Sequence, residues 1–408
     1  AFDLTKTLDG KIFQGFGSEN SPFKGTIEIT NAESGIEIPV NHSFFNYLDQ
    51  SAKIGKGLYL KVGDSFTTPL LAEYFVNDSK TDTEAELSLK IEADADSNSG
   101  TNEYNSFGGL IGNLAANTKL LLSIENKITE KGKTKISGTG NLGFFCNTME
   151  NDASLTIKSY TGDTGYTVST ENGHAGGLIG EMKNNAALTI NPELTLEGSV
   201  QTTGEMYSAG GLVGKADTPN ITLTQKVTCK ETISASGDDT SVGGYIGNAV
   251  YKETKSLDFV NKETKSLDFV NLDIPVTLGD GSHTGGLFGV LNFDCTEGGK
   301  LTLSNATVNS TFLGSSWQSG GLIGQYTANS LKSILEITLS TVEITHNGSA
   351  GSFGGVIGFI AGTDARSALN NATAAYIEVK GATVTVNAEN YTSSDDGRFG
   401  GLVAELGN

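Results

Sequence analysis

The sequence predicts an all-β protein: a parallel β-solenoid (β-helix) of about ten coils of roughly 34 residues, three short strands per coil, wound right-handed. Three observations carry this expectation. A short segment, GGLIG, returns at a nearly constant interval. Alternating apolar residues fill the stretches between its copies. Glycine reaches 53 of 408 residues while proline stays at 6, a balance that suits strands and tight turns rather than disorder or collagen.

The repeat begins at Gly108 (GGLIGNL), Gly176 (GGLIGEM), Gly210 (GGLVGKA), Gly243 (GGYIGNA), Gly285 (GGLFGVL), Gly320 (GGLIGQY), Gly354 (GGVIGFI) and Gly400 (GGLVAEL), with a degenerate copy, LGFFCNT, from Leu142. Successive intervals are 34, 34, 34, 33, 42, 35, 34 and 46 residues. Two weaker copies lie upstream, HSFFNYL from His42 and TPLLAEY from Thr68, matched on the apolar pair at the third and fourth positions. The structural glycines of the repeat are therefore Gly108, Gly109, Gly112, Gly176, Gly177, Gly180, Gly210, Gly211, Gly214, Gly243, Gly244 and Gly247, followed by Gly285, Gly286, Gly289, Gly320, Gly321, Gly324, Gly354, Gly355, Gly358, Gly400 and Gly401. A residue without Cβ lets the chain turn a corner and lets neighbouring backbone approach closely.

Each unit then repeats one grammar. A polar loop follows GGLIG, then an alternating stretch such as Leu188-Thr-Ile190 or Leu335-Glu-Ile337-Thr-Leu339, then a second such as Leu194-Thr-Leu196, Val342-Glu-Ile344 or Val384-Thr-Val386. Period-two alternation of this kind reads as strand, and no helical periodicity persists. Both apolar positions of the motif, such as Leu110 with Ile111 and Leu322 with Ile323, predict a strand covered on both sides. A propeller would need four strands per repeat and a longer period.

Residues 1–41 depart from the grammar and read as an N-terminal β cap, with Gly10–Gly17 and Pro22–Ile29 covering the first coil; residues 42–408 form the solenoid. The other end reads as open, so end-to-end assembly or further coils would cover it. Residues 252–271 are a tandem copy, KETKSLDFVN twice, and removing one copy brings the 42-residue interval close to the period.

Composition narrows the partners. With 27 basic and 47 acidic residues the net charge is −20, which excludes a nucleic-acid backbone partner and an anionic membrane surface. The longest apolar run worth testing, Gly354 to Gly362, is too short to span a bilayer, so no direct membrane insertion is expected. The opening AFDLTKTLDG has no signal-peptide pattern, so any such peptide is removed or absent, and the chain reads as soluble. Cys146, Cys229 and Cys295 form neither a disulfide framework nor a zinc knuckle.

No cofactor, metal or catalytic residue is expected. GGLIG recurs between strands, unlike a phosphate loop, which precedes a helix. His174 and His283 share a column but lie three coils apart, too far for one metal, and His42 and His346 occupy other phases. Asp94, Asp96 and Asn98 lack the glycine and distal glutamate of an EF-hand loop. Asp238-Asp239 and Asp395-Asp396 read as solvated turns. Polysaccharide cleavage would need converging carboxylates from adjacent coils, whereas Glu336 and Glu343 stand alone in their columns. Trp317 and Tyr207 share a column and could stack on sugar rings. The eight N-x-S/T sites match chance; Asn347 and Asn390, in turns, are the better glycosylation candidates.

The repeated G-L-hydrophobic-G core, as in Gly177–Gly180 and Gly321–Gly324, resembles the GLUG repeat, and Phe44–Ile54 with Gly57–Leu60 looks like the first coils of such proteins. That repeat occurs in bacterial surface and secreted proteins, including non-catalytic parts of streptococcal IgA peptidases. The resemblance spans about residues 42–408 and implies an extracellular or cell-surface solenoid whose motif residues carry no activity. The chain departs from it at Leu142–Cys146 and at Ala404, where the final glycine is missing. The expected role is non-enzymatic, structural or adhesive: a rod, spacer or binding surface for a host or neighbouring cell, a glycan or another copy of the chain. A polysaccharide-binding module is the alternative, and a lyase or hydrolase the less favoured one.

Overall fold

The computed structural model describes residues 15–27, 36–40, 42–55, 58–93, 104–128, 134–162, 165–252, 264–294, 299–328, 334–361, 376–388 and 392–406. These residues form a β-solenoid of parallel strands with no helix among them, in about eight full turns of some 34 residues. One turn shows the plan. A short entry strand, Ala175–Gly176, runs into the GG bend; Ile179–Met182 lies on the first face, Ala187–Ile190 on the second and Leu194–Thr203 on the third. The three strands per coil are thus joined by a short fourth one, inside the Gly- and Ser-rich stretch before each GG.

Stacking the turns makes the sheets. The first face carries eleven strands, from Phe45–Asp49 to Val403–Leu406. At about 4.8 Å per strand this stack is about 50 Å long. The entry strands form an eight-stranded sheet and the third face a ten-stranded one. The second face is divided into a seven-stranded sheet ending at Asn220–Leu223 and a four-stranded sheet starting at Thr264–Asp268. That division falls at the tandem copy. Its first repeat lies mostly outside the described residues, and its second supplies Thr264–Asp268 and the buried Phe269.

The corner between the first and second faces explains the polar loop after each motif. Asn117, Asp152, Asn185 and Thr218 recur there with φ of 60°, 57°, 58° and 48°. Asn and Asp enter this left-handed region at low cost because their short side chains bond locally. Both apolar motif positions are buried, Leu178 and Ile179 alike, because a bend at residues 177–178 separates entry strand from first-face strand.

Two landmarks pair one residue later than their apolar residues suggested. Gly143 lies beside Gly176 and Cys146 beside Ile179, so Phe144 occupies the place of the second glycine. Likewise Ala72 pairs with Ile111, which makes Pro69, rather than Thr68, the first motif position. Size explains the first shift: the Phe144 ring fills the interior and stacks on Tyr166 at 5.4 Å. At the N-terminal end Phe16 and Phe23 pack on Phe44 and Phe45, with Phe16 N–H donating to the Phe44 carbonyl at 3.1 Å. Ile36–Val40 pairs with Leu58–Val62 and so begins the second face.

Candidate functional site

The repeat glycines are dictated by contacts, and each position answers to a different neighbour. A Cβ on the first glycine, as at Gly176 or Gly320, would strike the carbonyl three residues on in its own coil. A Cβ on the second, as at Gly177, would strike the second-glycine carbonyl of the next coil, Gly211. At the fifth position it would meet the coil before: Gly214 faces the Ala175 and Gly180 carbonyls at 2.7 Å. The motif is therefore stereochemical, and no phosphate-binding geometry is built from it.

Inside the third face the second glycines confront an inner column read from strand register: Tyr166, Gly198, Glu231, Val276, Ser310 and Ile344. Gly198, at φ +114°, stands between Tyr166 and Glu231 in that column, where a Cβ would strike the Tyr166 carbonyl. The Tyr166 hydroxyl and one Glu231 carboxyl oxygen lie 2.8 and 2.9 Å from where a Gly177 Cβ would stand. Glu231 is fully buried, and neither of its oxygens, nor the Tyr166 hydroxyl, has a hydrogen-bond partner among the described residues. Burial pushes the Glu231 carboxyl well above its ordinary range, opposed by its own backbone N–H. Burial likewise raises the adjacent Tyr166 and Cys229, with the Glu231 charge adding to both. Sequence reasoning passed over Glu231, because Lys230-Glu231 between strands reads as a solvated turn.

The outer columns behave differently. Glu336 takes Lys300 at 2.6 Å from the coil before and Lys380 at 2.9 Å from the coil after. These lysines, Lys300 foremost, hold its carboxyl down to about 2. Glu336 does not stand alone: Glu378 is in register with it one coil ahead, and Lys380 also reaches Glu378 at 2.7 Å. The irregular 46-residue interval hid this pairing from the sequence. Two carboxylates in one column resemble the arrangement glycoside cleavage uses, but one held ionised down to about pH 2 is no proton donor at neutral pH. Other coil-to-coil pairs, Lys183–Glu150 at 2.8 Å and Lys90–Glu125 at 3.2 Å, are half-buried surface stitches of small individual worth.

The histidines belong to the packing. His174 and His283 do share a column, bridged by Ser208 and Ser241, whose hydroxyls lie 3.3 Å apart. His174 Nδ1 accepts the Ser208 N–H at 3.1 Å, and burial lowers its pKa to about 4. His346 stacks on Phe312 at 5.2 Å, and burial likewise brings it to about 4. His42 lies 3.7 Å from Glu73. No group of three or more His, Cys, Asp or Glu among the described residues could hold a metal ion. Cys146 and Cys229 are buried free thiols, Cys146 pushed up to about 12. Asp94, Asp96, Asn98, Cys295 and Asn390 lie outside the described residues, as do the side chains of Asp395 and Asp396.

Two surface features remain as candidates for recognition. Trp317 is 54% exposed in one column with Tyr207, which packs edge-on against His174 at 5.5 Å. Between them lie Thr240 and Ser282, each accepting the other's backbone N–H through its hydroxyl. On the third face, Thr167, Ser199, Thr232, Thr277, Thr311 and Thr345 form an unbroken outward hydroxyl column over six coils. Asn347 is exposed just after the strand Thr341–His346.

Eleven parallel strands on one face, a buried apolar interior and a glycine-led bend in most turns define a parallel β-solenoid. No family model, curated protein or solved structure matches the chain.

Proposed function

We propose that the protein is a non-enzymatic, cell-surface or secreted β-solenoid that serves as a rod, spacer or adhesive surface. The observation that supports this is the uninterrupted eleven-strand stack, with its apolar interior buried from Phe45 to Ile357. Such a stack turns sequence into length at about 4.8 Å per coil. Its acidic outer surface suits partners other than polyanions: a neighbouring cell, a neutral glycan or another copy of the chain. Mild protease shaving of intact source cells tests the location. Release of peptides from this chain is expected; recovery only after lysis would overturn the surface reading.

The second reading, a polysaccharide-binding module, rests on the exposed Trp317 in the column of Tyr207, about 14 Å away at three coil spacings. A neutral-glycan array probed with the parent chain and Trp317→Ala checks it. Loss of a binding signal in the variant is the expected result, and an equal signal from both would dismiss that site. Release of product from a panel of uronate and neutral polysaccharides would overturn the non-enzymatic reading.

A further inference from the structure

We infer that the first face carries a binding site for a neutral hexopyranose, with Tyr74 as the platform on which the sugar ring stacks. Tyr47 and Tyr74 are in register on adjacent coils, on the outward side of that face. Their rings lie 4.5 Å apart at 10°. The separation matches one coil spacing, so both ring planes stand across the solenoid axis. Tyr47 therefore covers one face of Tyr74, and the other face looks along the axis toward the next coil. The backing ring also fixes Tyr74 in place, which lowers the ordering cost of binding.

That second face looks over short side chains. The same column continues as Asn113 and Thr148, and the column beside it runs Val76, Ala115 and Glu150. None of these reaches as far from the backbone as a tyrosine ring, and Tyr74 stays 40% exposed. The column regains length at Glu181, three coil spacings or about 14 Å from Tyr74, where Lys215 lies 3.5 Å from the carboxylate. The result is a notch with an aromatic wall, a floor of short side chains and a charged far wall. A packing role for the stacked pair accounts for one face of Tyr74 and leaves this notch unexplained.

The floor offers polar atoms that suit hydroxyls. Asn113 Nδ2 donates to Glu150 Oε1 at 3.0 Å, and Lys183 Nζ donates to the same oxygen at 2.8 Å. Asn113 is thereby oriented with its amide oxygen available as an acceptor. Thr148 Oγ1 accepts Asn141 Nδ2 at 3.3 Å and keeps its own proton to donate. An aromatic face meets the C–H side of a pyranose, while these groups meet its hydroxyl rim. A uronate is disfavoured, because Glu150 and Glu181 border the notch and the net charge is −20.

The inference rests on the polysaccharide-binding reading above for its class of ligand, but places that ligand on the first face and away from Trp317. Calorimetric titration of cellotetraose, mannotetraose and galactotetraose tests it, using the parent, Tyr74→Leu, Asn113→Ala and Trp317→Ala. At least one tetraose is expected to bind the parent, and Tyr74→Leu should weaken it about ten-fold or more. Asn113→Ala should weaken the same tetraose several-fold and Trp317→Ala should leave it unchanged. Far-UV circular dichroism and melting temperature confirm that each variant is folded. Should Tyr74→Leu fail to fold, Asn113→Ala decides, because it leaves the tyrosine stack intact. Unchanged affinity in the deciding variant would overturn the inference, as would no heat from any tetraose at about 10 mM. Weakening by Trp317→Ala alone would also overturn it, while supporting the site at Trp317.

Discussion

Glu231 and Glu336 are the same side chain, one on an inner column and one on an outer column, and their environments oppose each other. Glu231 sits on the inner column of the third face, packed against Gly177 and Gly211 and next in register to Gly198, and burial raises its pKa. Glu336 sits on the second face between Lys300 and Lys380, which lower its pKa. In a solenoid the coils before and after supply most of a residue's surroundings. A carboxylate's chemistry is thus set by residues about 34 positions away and hardly at all by its sequence neighbours.

Gly198 is the most sensitive position beside Glu231, because the Tyr166 backbone closes on it. Gly198→Val would put a β-branched residue at φ +114°, with its Cβ against the Tyr166 carbonyl. A loss of about 3 kcal/mol or more is expected in urea denaturation. A near-neutral result would mean that neither the left-handed backbone nor the close approach to Tyr166 requires glycine at 198.

Next in size is Glu231→Leu, which removes a buried carboxyl without a partner and is expected to stabilise by about 1–3 kcal/mol at neutral pH. The raised folded-state pKa fixes the direction of the pH dependence. The contribution of Glu231 is complete below the unfolded carboxyl range, near 4.5, and is lost as pH rises through the folded value. The parent's urea midpoint should therefore fall between about pH 5 and 8 relative to that of Glu231→Leu. Parallel midpoints for the two chains would place the carboxyl in contact with water.

Glu336→Gln should act in the opposite pH range and more weakly. Its lowered pKa gives stability that is present above about 4.5 and lost as pH falls toward about 2. The parent and the variant should converge in acid, and molar salt should shrink their difference in melting temperature. The smallest effect is expected from Lys380→Met, which leaves Lys300 on Glu336 and removes a lysine that is largely exposed. An effect larger than that of Glu336→Gln would give Lys380 a role beyond this ion pair.

Most of the fold was legible because it is local and repeated. The GG intervals, the alternation at Leu188–Ile190 and Leu335–Leu339, and the apolar motif pair forecast the stack and its buried interior. Register was harder to read. The landmarks at Leu142 and Thr68 were matched on apolar pairs, and only pairing shows Phe144 in a glycine position and Pro69 leading the motif. The Glu336–Glu378 column was missed because extra residues lengthen that interval, and column membership cannot be counted across an irregular spacing. Glu231 was missed for a related reason: a strand-end glutamate beside lysine reads as solvated until the coils on either side are in place.

By itself, the sequence determined the period, the strand grammar and where the repeat glycines fall, because these are written in residues that recur in each turn. Tertiary structure alone decided which side chains meet. It buried Glu231 near the Tyr166 hydroxyl and set Glu336 between two lysines, because those contacts come from coils distant in the chain and adjacent in space.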